Sequence, residues 1–537
     1  MTKDKYNPVE KANLEARTRF DVLDEEGKKQ EVDRLNEQAL IENADSFSKM
    51  IEKETDPEKK EELELALKVC EMVKERGGLA LVIGGFARDA VLNKFGYTLK
   101  PKDVDIEVYG VDSKTLEELL EKIGKVDVVG ATFEVFKLSK TKRPKDRVDE
   151  ETDKEKSITL DVSIPRRDSK TGKGHKGFKV EGDPNMLIKE AARRRDFTIN
   201  ALALDPLTGE VLDFYGGIED IKNKTLRATD KETFVEDPLR VLRGVQFAAR
   251  FGFAIDQETI ELCRALDLKE LSTERIGEEW LKLLLKSPKP SIGLELALEL
   301  GVLDQLHPEI KALIGVPQNI KYHPEGDVWT HVKMVVDSAA ELAGEQQLNE
   351  EDKKVLMLCA LCHDLGKPAT TKKEEDGRIT SHGHEDVTEP SQKFLSMLNV
   401  SKDMADRVIL LVKDHMFIHN NPDPSDSAIR RLAKRIYPAT IKELALFATA
   451  DRQGTGQQGP RNYDQADSIL KRAEAMSIKE SKPKPLIMGR DLLEIGFKPG
   501  KKVGEVLKEI EELQLGGKVT SYEEAKEYAR TVFHTQD

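Results

Sequence analysis

The chain is 537 residues long, with 100 Asp and Glu against 86 Lys and Arg, a net charge of −14 and 38% hydrophobic residues. That length supplies several domains with sizeable cores, no apolar run reaches a membrane span, and 4 cysteines do not make a disulfide framework. The opening MTKDKYNPVEKANLEARTRF lacks a basic-then-apolar export signal, so the expectation is a soluble, cytoplasmic protein with reduced thiols in which any polyanion is held by a local basic patch.

Residues 1–70 are densely charged with sporadic helical apolar spacing, and read as a helical or partly disordered extension that carries no chemistry. From 71 to 210 strands and helices mix, interrupted by polar stretches at 139–156 and 168–182 that read as loops. Beyond about 230 the pattern is almost wholly helical, with Pro-marked seams at Ser287 to Pro290 and Ser481 to Pro485.

The first informative segment is LALVIGGFARDAVLNKFGYTLKPKDVDIEV, from Leu79 to Val108. It predicts a buried strand, a Gly84–Gly85 turn, a helix beginning near Phe86, and a second strand carrying Asp103 and Asp105. Alternation along a strand puts both carboxylates on one face, with Val104, Ile106 and Val108 on the core side. Two carboxylates that close repel unless a divalent cation lies between them. Oxygen-only ligands suit Mg²⁺, whose remaining positions go to water and substrate phosphate. Gly84 and Gly85 let backbone amides approach a triphosphate at a helix N-terminus, and Arg88 adds a charge one turn in. Glu107 shares the aspartate face, as a third acid or as a surface carboxylate.

A further strand, Ser157 to Pro165, alternates Ile158, Leu160, Val162 and Ile164 against Thr159, Asp161 and Ser163. Asp161 therefore either completes a carboxylate triad or lies on a solvated strand face. Basic stretches at Lys137 to Lys145, Arg166 to Lys179 and Arg193 to Arg195 are candidate polyanion contacts or solvated loop and helix faces. In RRRDFTINALA, Arg193 to Ala203, a helix puts Asp196 and Asn200 four apart on one face beside the arginines. Arginines neutralise phosphate and an aspartate accepts from ribose hydroxyls; a structural salt-bridge cluster is the alternative. LDFYGGIED, Leu212 to Asp220, holds a Gly216–Gly217 pair that reads as a hinge or a simple turn. In VEDPLRVLRGVQFAARFGF, Asp237 caps a helix with Pro238 in its first turn. Arg240, Arg243 and Arg250 take its polar side, and Leu239, Val241, Leu242, Val245, Phe247 and Phe251 its core side.

GG-x-x-RD, Asp-x-Asp, RRDFTINAL, LDFYGGIEDI, EDPLRVLR and ERI-x-x-E occur here in one order, and together they resemble the class II tRNA nucleotidyltransferase and bacterial poly(A) polymerase family over most of residues 75–290. The resemblance implies an α+β chain: a polymerase-β-like nucleotidyltransferase head with a mixed sheet, followed by an all-α neck and body. It implies that Asp103 and Asp105 hold catalytic Mg²⁺, that Arg195 and Asp196 bind the ribose, and that Glu236, Asp237 and Arg240 select the nucleotide without a nucleic-acid template. Cytosine and adenine each offer an exocyclic amine beside a ring-nitrogen acceptor, so one carboxylate and one guanidinium pair with either base. Guanine and uracil present the reverse and leave buried polar groups unpaired, at about 1–3 kcal/mol each. Gln246 departs from the family, where relatives often have Arg.

Further on, His331 follows Trp329, His363 and Asp364 end the apolar helix VLMLCALCHDLGKP, and Asp451 sits in LFATADRQG. This set resembles the ligands of the HD phosphohydrolase superfamily, with His382, His384 and His415 near it in sequence. Mixed imidazole and carboxylate ligands favour Ni²⁺, Mn²⁺ or Fe over Mg²⁺. Head plus HD region resembles the multifunctional bacterial CCA-adding enzymes, in which the HD part acts on 2′,3′-cyclic or 2′-phosphates. Cys359-Ala-Leu-Cys362-His363 matches a c-type haem attachment string, but both cysteines fall within an apolar helix and read as core residues, as do Cys70 and Cys263.

The expected domains are an extension 1–70, a head 71–210, a helical neck and body 211–320 that selects nucleotide and binds RNA, an HD domain 321–480 and a helical tail 481–537. The expected partners are tRNA, CTP and ATP, with no DNA and no membrane. Two other readings stay open: a poly(A) polymerase or A-adding enzyme, and a metal-dependent phosphohydrolase whose head only binds RNA.

Overall fold

A computed structural model describes residues 40–101, 103–129, 135–141, 157–170, 178–456 and 463–534. Residues 1–39 of the expected extension, and much of the stretches 139–156 and 168–182 with their lysines and arginines, lie outside the described residues. The chain divides into two compact units, one of residues 1–240 and 254–266, the other of 241–253 and 267–537. Among the described residues no helix is long and apolar enough to cross a membrane.

The first unit is built on a mixed sheet. Its strands are β1 (Leu40–Asn43), β2 (Leu79–Ile83), β3 (Asp105–Tyr109), β4 (Lys125–Val129), β5 (Val135–Thr141) and β6 (Ser157–Ser163). A separate antiparallel ribbon of β7 (Arg166–Lys170) and β8 (Phe178–Gly182) follows, and β9 (Ala203–Leu204) and β10 (Glu210–Asp213) return to the main sheet. The eight strands run β1-β10-β9-β2-β3-β6-β5-β4, all pairs antiparallel except β3 with β6. The aliphatic run of β2 buries Leu81 and Val82, Ile106 and Val108 come from β3, and Phe136, Leu138, Leu160 and Val162 from β5 and β6.

Three expectations about boundaries are corrected. Leu40 pairs with Asp213 across β1 and β10, so the chain before residue 70 contributes an edge strand to the head. The helix Pro57–Glu75 crosses the expected boundary at 70; Asp56 accepts from Glu58 N and Pro57 sits in its first turn, which fixes the start well upstream, and Leu63, Ala66, Val69, Cys70 and Val73 are buried. The expected boundary at 210 falls where β10 enters the sheet, because antiparallel pairing with β9 needs only a tight turn, closed by Gly209 at φ 85°.

Among the described residues the second unit is helical apart from the two-residue pair Lys372–Lys373 and Ile379–Thr380. Helices Val328–Glu345, Glu350–Cys362 and Ile441–Gln453 pack on one another and form its centre. Ser287 to Pro290 is a corner between helices Thr273–Lys286 and Pro290–Glu299 inside this unit. The tail carries its own apolar cluster of Ile487, Leu492, Phe497, Val506, Ile510, Val519, Ala525 and Ala529. All 4 cysteines are buried and unpaired, as their apolar settings predicted.

Candidate functional site

In the first unit, β2 ends at Ile83 and the chain reverses through Gly84 at φ 69°, a conformation that excludes a side chain at little cost only for glycine. The helix Gly85–Lys94 starts there. A β-carbon on Gly84 would lie 3.9 Å from Arg195 Nη1, so the turn and that guanidinium are neighbours. Strand β3 begins at Asp105, which leaves Asp103 in the approach to the strand and not within it. The alternation still holds: Asp103 and Asp105 are exposed while Val104 and Ile106 are buried. Parallel pairing sets Asp105 opposite Asp161, and β5 sets Lys137 opposite Asp161, with Lys137 Nζ 4.0 Å from its carboxylate. Desolvation by the surrounding protein raises the pKa of Asp105; Arg195 opposes that rise, and Asp161 and Asp103 add to it. Paired acids suit a hard divalent cation, which removes the repulsion, although ligand oxygens of Asp103, Asp105 and Asp161 do not all lie within 4.8 Å of one another.

Glu107 is not a surface carboxylate. It is 3% exposed, accepts from the Tyr109 hydroxyl at 2.6 Å, and lies 3.8 Å from the guanidinium nitrogens of both Arg194 and Arg195. Glu107 thus anchors two arginines beside the aspartates, a role that only the arrival of residues 194 and 195 at the sheet reveals. Arg88 is also buried. Its Nε and Nη2 donate to Asp89 Oδ1 at 2.8 and 2.6 Å, and its Nη1 donates to Asn200 Oδ1 at 2.8 Å. Asn200 Nδ2 in turn donates to Asp196 Oδ1 at 2.8 Å. The charge expected to meet phosphate braces the Asn200–Asp196 pair from below.

The segment Arg193 to Ala203 is not one helix. The helix Ile188–Arg193 stops, Asp196 Oδ1 accepts from Phe197 N at 2.8 Å, Phe197 bridges to Ala228, and a 3₁₀ turn spans Thr198–Asn200. An aspartate that caps its neighbour's N–H competes with helix continuation, yet the turn still brings Asp196 and Asn200 together. At LDFYGGIED the structure has a capped turn. Asp213 accepts from Tyr215, Gly217 and Ile218 N, and a β-carbon on Gly217 would come within 2.3 Å of Thr198 O.

Glu236 is exposed in the turn before the helix Leu239–Phe251, and Asp237 Oδ1 accepts from Leu239 N at 3.1 Å, the cap that the sequence predicts. The Arg240 guanidinium donates to the carbonyls of Thr233 and Arg194, which fixes its plane. Arg243 belongs to the second unit, with its guanidinium 5.1 Å over the Phe247 ring and 4.0 Å from Glu279. Gln246 is buried and its Oε1 has no hydrogen-bond partner.

The second unit holds a separate cluster. His331 lies on the first turn of the helix Val328–Glu345, whose start is capped by Asp327. His363 closes the helix Glu350–Cys362, followed by Asp364, and Asp451 comes from the helix Ile441–Gln453. These four expected residues meet: His331 Nε2 is 3.3 Å from His363 Nε2, 3.1 Å from Asp451 Oδ1 and 3.7 Å from Asp364 Oδ2. His363 Nε2 is 3.2 Å from Asp364 Oδ2. Gly366 makes the close approach possible, since a β-carbon there would sit 2.2 Å from His384 O. His384 and His415 join the group, whereas His382 is exposed. Reading the sequence also missed Glu325, whose Oε1 is 2.8 Å from both His323 Nδ1 and His331 Nδ1, and His419, 3.0 Å from Asp451. Burial disfavours charge on His331, but Asp451 and Glu325 overcome it and hold its pKa up to about 9. The same contacts pull Glu325 down to about 2 against the desolvation that raises it. Buried imidazoles and carboxylates aimed at one point suit a borderline transition ion.

A mixed sheet with paired acids at the start of a central strand, a glycine turn and adjoining arginines is the arrangement of a nucleotidyltransferase head. The family model described as the poly A polymerase head domain matches residues 80–227. The probable RNA and SrmB-binding site of polymerase A matches 252–314, and a putative tRNA nucleotidyltransferase domain 2 matches 383–526. The multifunctional CCA protein of Xanthomonas campestris pv. campestris (strain B100) is 34% identical over 437 residues, covering 79% of this chain and 95% of the relative. That of Pasteurella multocida (strain Pm70) is 35% identical over 387 residues, covering 70% and 83%. The chain belongs to the class II CCA-adding nucleotidyltransferase family. Its fold is similar to that of the Bacillus stearothermophilus CCA-adding enzyme in complex with CTP, with a TM-score of 0.61 and 20% identity over 90% of this chain and 99% of that one. The Thermotoga maritima CCA-adding enzyme complexed with tRNA gives 0.54 and 19% over 92% and 100%.

Proposed function

We propose that the protein adds C, C and A to tRNA 3′ ends from CTP and ATP without a nucleic-acid template, and that the His/Asp cluster of its second unit hydrolyses 2′,3′-cyclic or 2′-phosphates. The observation that carries the first activity is the acid group of Asp103, Asp105 and Asp161 at the adjoining central strands β3 and β6, with Arg195 alongside. The relatives' names support the CCA product over an A-only one.

In the reaction the RNA 3′-hydroxyl oxygen forms a bond to the α-phosphorus, the bond from that phosphorus to the pyrophosphate oxygen breaks, and the hydroxyl proton leaves to solvent. Asp103 and Asp105 would hold Mg²⁺, which would supply charge neutralisation for the attacking and leaving oxygens. Arg195 neutralises phosphate beside the Gly84–Gly85 turn, whose amides face the triphosphate. Asp196, steadied by Asn200 and Arg88, accepts from the ribose hydroxyls. Asp237 and Arg240 present an acceptor and a donor that pair with cytosine or adenine, and the carbonyls of Thr233 and Arg194 keep the guanidinium from turning to suit guanine or uracil.

At the second site, His331, His363, Asp364 and Asp451 would hold a transition ion such as Ni²⁺ or Mn²⁺, which would supply Lewis acidity for phosphate-ester hydrolysis. Support comes from Asp364, 1% exposed, whose oxygens lie 3.2 Å from His363 Nε2, 3.3 Å from His384 Nε2 and 2.7 Å from Lys367 Nζ. Hydrolysis there would clear a blocked 3′ end before extension.

Omission of single nucleotides separates the readings. With tRNA lacking its terminal CCA, CTP alone gives addition of CC, ATP alone gives none, and the two together stop at CCA. Efficient runs of A from ATP alone would establish a poly(A) polymerase instead.

A further inference from the structure

Selection by Arg240 requires a guanidinium that cannot turn, and the two carbonyls that hold it both lie outside long regular structure. Thr233 O belongs to the four-residue helical turn Lys231–Phe234, and Arg194 O to the stretch between the helix Ile188–Arg193 and the 3₁₀ turn Thr198–Asn200. One turn of helix is not stable by itself, so its carbonyls keep their direction only if other contacts hold it against the segment that begins at Arg193. Packing of Phe234 on Phe197, with ring centroids 5.6 Å apart, sets the depth of the turn, but apolar burial is non-directional.

Direction comes from Arg193. Its Nε is 3.0 Å from Asp230 Oδ2 and its Nη2 donates to Glu232 Oε2 at 2.6 Å, so one planar guanidinium reaches both the cap residue of the turn and its second residue. Asp230 Oδ1 accepts from Thr233 N at 3.0 Å, and the Thr233 hydroxyl donates to Arg193 O at 3.0 Å. The residue whose carbonyl holds Arg240 is therefore tied, at its N–H and at its hydroxyl, to the two partners of one ion pair. The three consecutive arginines divide their work: Arg194 and Arg195 reach Glu107, while Arg193 turns to the other segment. The pair forms one wall of a cavity of about 520 Å³ that Arg227, Thr229, Asp256 and Thr259 also line, and none of Asp103, Asp105, Asp161 and Asp237 lines it. With side chains 28% and 23% exposed, Arg193 and Asp230 are partly desolvated, whereas Glu232 at 62% is in solvent and adds little.

We propose that Arg193 and Asp230 are specificity-determining positioning residues: their ion pair fixes the Thr233 and Arg194 carbonyls, and through these the plane of Arg240, so that rejection of UTP and GTP depends on a pair that acts only through that guanidinium. This rests on the reading of Asp237 and Arg240 as the nucleotide selectors and adds to it the device that keeps the selector still. A guanidinium free to turn offers a donor to the carbonyl oxygen of uracil or guanine, where a held one faces the ring nitrogen of cytosine or adenine.

The test is steady-state kinetics of nucleotide addition by the full chain to tRNA lacking its terminal CCA, with CTP and UTP compared. Arg193→Ala and Asp230→Asn, the second of which keeps the Oδ1 cap of the turn, are each expected to lower the ratio of kcat/KM for CTP over UTP by about three- to tenfold, with kcat for CTP and thermal melting near native. Glu232→Gln is expected to leave the ratio within about twofold. Arg240→Ala is expected to lower the ratio further, and Arg193→Ala added to Arg240→Ala to change it no more, because the two act in series. A native ratio in Arg193→Ala and Asp230→Asn, beside a lowered one in Arg240→Ala, overturns the proposal and leaves the selection reading standing; a native ratio in Arg240→Ala overturns both. A second fall when Arg193→Ala is added to Arg240→Ala, or an equal loss for CTP and UTP, also overturns the proposal. Asp230→Asn exchanges one oxygen for a nitrogen at constant shape, so a folding defect in Arg193→Ala does not remove the test.

Discussion

Asp105 on β3 and Asp161 on β6 stand opposite each other in parallel register, the only parallel pair of the head sheet among the described residues. Parallel neighbours bring equivalent faces together, so a carboxylate 56 positions away in sequence reaches the acid pair without any loop. Asp161→Asn keeps the shape and removes one charge. The expected outcome is an apparent Mg²⁺ affinity in nucleotide addition weaker by about 10- to 100-fold, with unchanged thermal stability; an unaltered Mg²⁺ titration would make Asp161 a solvated strand residue paired with Lys137.

Glu107 holds Arg194 and Arg195, and its effect on substrate is expected to run through them. In Glu107→Gln the Tyr109 hydroxyl keeps an oxygen acceptor while both guanidinium groups lose their buried counter-charge. Steady-state kinetics with CTP and ATP are expected to show KM raised by about tenfold for both, equivalent to about 1.4 kcal/mol, with kcat nearly unchanged. Loss of kcat with KM intact would mean that Glu107 belongs with the metal-binding acids.

Selection by Asp237 and Arg240 is a difference between nucleotides and not a loss common to all. Asp237→Ala or Arg240→Ala is expected to bring UTP and GTP incorporation within roughly tenfold of CTP, since each removed pairing is worth about 1–3 kcal/mol. Competition assays with the four nucleotides, beside tRNA binding measured separately, read this directly. A uniform fall for all four with tRNA affinity reduced in step would contradict the template role.

His363→Ala is expected to spare CCA addition and to remove release of inorganic phosphate from a nucleoside 2′-phosphate, as the residue lies in the second unit with no part in the acid group of the head. Parallel assays of the two reactions on one preparation decide it. If nucleotide addition stops while the protein melts normally, the division into two chemical sites is wrong.

What the sequence made legible is what depends on near neighbours. The β2 strand, the Gly84 turn and the alternation through Asp103 and Asp105 follow from a few adjacent residues, and so does the Asp237 cap. Where distant segments decide, local patterns fell short. Helical spacing would put Asp196 and Asn200 of RRRDFTINALA on one face, but Phe197 bridges to Ala228, and the chain follows that contact. In the sequence Glu107 is open between a third acid and a surface carboxylate, and only two arginines nearly ninety positions later, 3.8 Å from its carboxylate, give it its setting. Among His382, His384 and His415, composition alone gave no way to choose; the left-handed Gly383 at φ 77° opens the turn in which His384 is buried and His382 exposed.

The most direct measurement is sequencing of the products made from tRNA lacking its 3′ CCA, with CTP, ATP and Mg²⁺, by the native protein and by Asp105→Ala. The account predicts CCA termini from the first and, from the second, extension reduced by at least about a thousand-fold, some 4 kcal/mol of transition-state stabilisation. Extension by Asp105→Ala at a rate near that of the native protein would contradict it.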